Sequence, residues 1–196
     1  MFKRPAFAAA VFFAATAPAF AHLDPAGHGS FMAGFSHPLF GADHVLVMVA
    51  VGLWAASLGQ RGLTIVPAAF VGTMIAGFAA ALSGAPLPLV EPVILASIVF
   101  IGLMMALALP LPVAGVAGCV AFFAFFHGHA HGAELGMAGA LPFAAGFAVA
   151  TALLHMAGIA LGLALGRRQK GAMDGLLTRM AGLATALAGL WLAFAG

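Results

Sequence analysis

HPLFGADH, residues 37–44, and FHGHAHGAE, residues 126–134, are polar islands in a chain that is otherwise almost wholly apolar. Together they hold five of the eight histidines and two of the five acidic residues. A charged group at bilayer depth disfavours insertion by roughly 2.5 to 3.5 kcal/mol, so such groups face a protein interior or an ion path rather than lipid. The two stretches therefore predict membrane-spanning helices whose polar faces meet inside a bundle.

The surrounding sequence supports this. Hydrophobic residues make up 64% of the 196 residues and charged residues 6%, with a mean hydropathy of +1.16. No soluble domain of this length could carry that composition on its surface. The fold class expected is an all-α membrane protein: a bundle of six transmembrane helices after a cleavable signal peptide. Residues 1–21 fit the signal, with Lys3 and Arg4 at the charged start, an apolar run from Ala6 to Ala17, and Ala19-Phe20-Ala21 as a small-x-small cleavage site. Residues 22–196 then form one six-helix transmembrane domain. A span of the hydrocarbon core takes roughly 20 helical residues. Six such segments fall near 38–58, 63–82, 92–109, 112–134, 141–166 and 175–195, separated by Pro, Gly or charged breaks.

If the six helices alternate, Arg61, Arg167, Arg168, Lys170 and Arg179 all fall on one side. The positive-inside rule makes that side cytoplasmic and places the mature N-terminus in the periplasm, with the protein multi-pass in the bacterial inner (cytoplasmic) membrane. The net charge of +2 comes from too few groups to suggest nucleic acid as a partner. The single cysteine, Cys119, excludes an intrachain disulfide and a thiolate cluster.

In the first stretch, Pro38 suits a first helical position, which leaves His37 just before the helix. His37 and His44 are seven positions apart and project on nearly one face, which Gly41, His44, Met48 and Gly52 continue. Asp43 is a metal ligand or an acceptor that fixes the tautomer of His44. Met48 is a soft ligand or packing. In the second stretch, His127, His131 and Glu134 are spaced i, i+4, i+7 within one narrow sector, and two imidazoles at i and i+4 can chelate one metal. His129 projects to the other side, as a separate weak site or simply a polar residue. Gly128 and Gly132, like Gly158 and Gly162 in the fifth span, let a neighbouring helix approach closely. The histidine spacing is that of the zinc-protease pattern HExxH, but no Glu follows the first His, which weakens a hydrolase reading.

Other polar residues extend the candidate path. Glu91 is a helix cap or a cation-collecting carboxylate; His155, midway along the fifth span, is a relay ligand or a packed histidine; His22, after processing, offers an α-amine and an imidazole as a chelator or belongs to a tail.

These residues resemble the HupE/UreJ family of nickel permeases, accessory proteins of hydrogenase and urease systems. The family pattern HPxxGxDHxxxMxxxG reads here as His37, Pro38, Gly41, Asp43, His44, Met48 and Gly52. The pattern FHGxAHGxE reads as Phe126, His127, Gly128, Ala130, His131, Gly132 and Glu134. The resemblance covers essentially the whole mature chain. It implies secondary, non-ATP uptake of Ni²⁺ as transported substrate, with no prosthetic group and no enzyme activity, and with the first- and fourth-span His and acidic residues as the metal site. Without thiolate, the donor set suits Ni²⁺, Co²⁺ or Zn²⁺ better than Cu⁺. The partners expected are the divalent ion and the lipid bilayer; a homo-oligomer and a cytoplasmic nickel chaperone are left open. Two alternatives stand beside transport: an intramembrane zinc hydrolase with Glu134 as base, and a nickel sensor or delivery scaffold.

Overall fold

The computed structural model describes residues 29–167 and 175–195. The expected signal peptide, His22, Arg168 and Lys170 lie outside those residues. Among the described residues the helices are α1 (Ser30–Phe40), α2 (Ala42–Ser57), α3 (Gln60–Leu82), α4 (Val90–Leu107), α5 (Val113–Ala133), α6 (Ala140–Arg167) and α7 (Leu176–Ala195). The helices α3 to α7 are each long and apolar enough to cross a membrane; α1 and α2 meet that test only as a pair, bent at the break between them, which gives five to six candidate spans. This is an all-helical, multi-pass membrane protein.

Lipid tails are as apolar as a leucine side chain, so helices in a bilayer associate through close packing of small residues rather than through hydrophobic burial. Glycines make that packing here. A Cβ at Gly128 of α5 would fall on the Met74 carbonyl oxygen of α3, and one at Gly77 of α3 would fall on the Phe125 carbonyl of α5. Gly52 of α2 meets the backbone of His155 and Gly158 on α6, and Gly162 meets Leu53 and Ala56. Gly102 of α4 meets Gly182 and Ala186 of α7. Three tightly joined units result: α3 with α5, α4 with α7, and α1 and α2 together with α6. Ser36 and Thr185 bond back within their own helices, to Ala33 O (3.1 Å) and Ala181 O (2.9 Å).

The first span departs from expectation. It begins at Ser30 rather than near residue 38, breaks at Gly41, and bends by 78° there. His37 and Pro38 do not precede a helix; both are buried in the last turn of α1. Pro38 lacks the N–H that would continue the hydrogen-bond ladder. Gly41 then leaves the helix with φ −82° and ψ 113°, its N–H donating to His37 O at 3.3 Å. Both halves pack against α6. Ser30 Oγ accepts from the Gly139 N–H at 2.7 Å and Gly34 abuts Phe143, while Gly52 and Ala56 lie farther down the same helix. The 16-residue α2 alone is about 24 Å long, shorter than a hydrocarbon core of about 30 Å.

The break also changes how His37 and His44 meet. They share no helix face: on a straight helix seven residues separate them by about 10.5 Å along the axis, whereas the bend brings their ring centroids to 5.3 Å. Gly41 is not part of a packing stripe. A Cβ there would come within 2.9 Å of Asp43 Oδ1 and 3.0 Å of His44 Nδ1, so the missing side chain makes room for those two groups.

Among the described residues, charge sorts to opposite ends of the bundle. Glu91 opens α4 and Glu134 follows the end of α5, whereas Arg61 and Arg179 lie near the starts of α3 and α7, where Arg179 Nε donates to Ala106 O at 2.9 Å.

Candidate metal centre

His37 from α1, His44 from α2 and His131 from α5 are all buried, and one ligand atom from each lies within 4.8 Å of the other two. Their ring centroids are 4.8 Å (His37 to His131) and 5.0 Å (His44 to His131) apart. Metal–imidazole bonds of about 2.1 Å allow donor separations up to about 4.2 Å, so a small inward movement of the rings closes the triad on an ion.

Each ring is oriented by a neighbour. Glu134 Oε2 lies 2.9 Å from His37 Nε2, and Asp43 Oδ2 lies 2.9 Å from His44 Nδ1. The second contact is at ion-pair distance but off the line of a hydrogen bond, and His44 Nε2 has no hydrogen-bond partner among the described residues. His131 stacks on Phe147 of α6 with centroids 4.7 Å apart and planes at 17°, and neither of its ring nitrogens has a hydrogen-bond partner among the described residues. Buried imidazoles held in place with unused lone pairs are suited to ligation. The two carboxylates are more open, Glu134 at 36% and Asp43 at 26% side-chain exposure, and so form the rim of the cluster.

His127 is next to the triad, its centroid 5.4 Å from that of His44. Its Nδ1 donates to Phe123 O at 3.0 Å, because a carbonyl oxygen only accepts, which leaves a buried Nε2 lone pair without a partner. The Phe70 ring of α3 lies beyond, 5.7 Å from His127 and 4.9 Å from His155.

The remaining candidates fall elsewhere. His129 turns away, its Nε2 bonded to Ala85 O at 2.8 Å. Met48 is fully buried in the apolar core. Glu91 is exposed at the start of α4, within electrostatic reach of His37, His44, Asp43 and Glu134 but outside the triad. The sequence reading missed Phe70 and Phe147, since single phenylalanines among 18 in an apolar chain carry no local signal.

The chain matches the family model described as HupE / UreJ protein over residues 9–192. It is 42% identical over 146 residues to Protein HupE of Rhizobium leguminosarum bv. viciae, an alignment covering 74% of this chain and 76% of the relative. No solved structure matches it.

Proposed function

Because the chain belongs to the HupE/UreJ family, whose members are accessory proteins linked to hydrogenase and urease, we propose that it carries Ni²⁺ across the bacterial cytoplasmic membrane through the site built by His37, Asp43, His44, His127, His131 and Glu134. The observation that supports this most is the meeting of three buried imidazoles from three helices at the end of the bundle where Glu91 and Glu134 lie. Nickel as the ion follows from the family; the donor set is equally suited to Co²⁺. By the positive-inside rule the end bearing Arg61 and Arg179 is cytoplasmic, so the acidic rim faces the periplasm and collects cations from outside.

The ion needs no ATPase to move inward. A doubly charged ion gains roughly 4.6 kcal/mol per 100 mV of membrane potential, which supports about three decades of accumulation. Partial, exchangeable coordination suits such a carrier, since the site must release what it captures. The hydrolase alternative is disfavoured by the placement of Glu134, whose carboxylate is engaged with His37 Nε2 rather than directed at a reacting water.

The test is uptake of radiolabelled Ni²⁺ by proteoliposomes holding the purified chain alone, with an imposed inside-negative potential. Saturable uptake that tracks the potential is expected; absence of uptake with correctly inserted protein rejects the transport reading. Asp43→Asn keeps the size of the group beside His44 Nδ1 but removes its charge. Loss of such an orienting partner costs roughly 10- to 100-fold in metal affinity, and Ni²⁺ titration of the detergent-solubilised protein reads it directly.

A further inference from the structure

His155, near the middle of α6, is 1% exposed, and both of its ring nitrogens lack hydrogen-bond partners among the described residues. A buried polar group left unsatisfied costs about 1 to 3 kcal/mol, and a phenyl ring at this position would fill similar space without that cost. The triad rings and His127 are accounted for by the site already described. His155 is outside it, separated from His127 by Phe70, whose ring meets that of His155 edge-to-face at 4.9 Å.

The surroundings of His155 form a second small constellation. Thr151, one turn earlier on α6, directs its hydroxyl to Met74 Sδ at 3.7 Å, and Met74 is one turn along α3 from Phe70. Both Thr151 and Met74 are fully buried. On the other side the contact of Gly52 with the His155 and Gly158 backbone holds α2 against α6 at this level. An imidazole with one uncommitted ring nitrogen, one helical turn from a hydroxyl that meets a thioether, has the chemistry to bind a borderline divalent cation weakly, as N and S donors do.

We propose that His155 is the principal ligand of a second, deeper cation station, at which a divalent first-row metal ion that has left the outer histidine triad is held before its exit. The inference rests on the transport reading above. It adds a stage to it: two weak sites in series allow an ion to leave the first without facing the hydrocarbon unsolvated, which a single site at one end of the bundle does not.

Binding of Ni²⁺ alone to the detergent-solubilised full chain, followed by equilibrium dialysis, tests this together with proteoliposome flux. The wild-type chain is expected to bind two ions of unequal affinity. His155→Phe should retain the tighter ion and lose the weaker, with the initial rate at saturating external Ni²⁺ falling at least tenfold. His131→Ala should show the converse binding pattern, losing the tighter ion. Should His155→Phe insert poorly, His155→Gln, which keeps a polar group of similar size, serves for both measurements with the same expected direction. Wild-type stoichiometry and flux in the correctly folded His155 variant overturn the second station while leaving the outer site untouched. Unchanged binding and flux in His131→Ala instead reject the transport site itself.

Discussion

His131→Ala reduces the initial rate of potential-driven Ni²⁺ uptake by roughly 100-fold or more, at unchanged protein content in the vesicles. Loss of a group that merely orients a ligand already costs about 10- to 100-fold in affinity, and the proposed site makes His131 a ligand itself. It is the member of the triad closest to both others, 4.8 Å from His37 and 5.0 Å from His44 between centroids, and neither nitrogen is committed to a hydrogen bond. Phe147 stacks against its ring at 4.7 Å and fixes its plane. The control is His129→Ala, two residues earlier, whose ring bonds to Ala85 O away from the cluster; its rate should stay within about twofold of wild type, the small effect expected of a substitution outside the ligand set. Wild-type flux in the His131 variant would remove the triad from the mechanism.

Gly128→Ala should cost the protein its folded state far out of proportion to one added methyl. Overpacking usually costs about 1 to 3 kcal/mol because side chains can adjust. At Gly128 the new atom falls on the carbonyl oxygen of Met74, so two helix backbones must separate and the whole α3–α5 seam opens. An effect of about 3 kcal/mol or more corresponds to a drop of roughly 10 °C in Tm for a chain of this size. Thermal unfolding in detergent, followed by gel filtration, measures it. Gly72→Ala and Gly118→Ala, where nothing lies within 4 Å of the added atom, should shift stability by no more than about 1 kcal/mol. Equal losses in all three variants would mean that close approach at Gly128 is not what holds the seam.

The spans were legible because membrane insertion leaves a long apolar run between breakers, a signal that needs no knowledge of neighbours. The glycines of α5 and α6 were legible too, since they recur at helical spacing beside polar residues. Gly34 and Gly77, which face α6 and α5, and Gly102 and Gly182, which face each other, were not: a glycine with no periodic company says nothing about which helix it faces. The break at Gly41 was misread for a definite reason. Proline is favoured at a first helical position, so Pro38 pointed to a helix start, and the seven-residue spacing of His37 and His44 offered a plausible shared face. The rings do come together, but through a 78° bend that shortens the path between them. Likewise the i, i+4, i+7 pattern put Glu134 with His127 and His131, whereas the helix stops at Ala133 and the carboxylate reaches across to His37. Spacing along the chain could find these residues; which of them pair depended on a fold that spacing does not encode.

The interrupted first span has one more consequence. The terminal carbonyls of an α-helix carry roughly half a negative elementary charge, and its opening amides the opposite. His37 is in the closing turn of α1 and His131 in the closing turn of α5, so two negative poles converge on the same small volume. The amide end of α2 is there as well and would repel a cation, but Asp43 sits in its first turn and offsets it. The main chain is thus already biased towards positive ions at this point, before any imidazole binds one, and an uninterrupted helix from Ser30 to Ser57 would have had no such pole to offer at that depth.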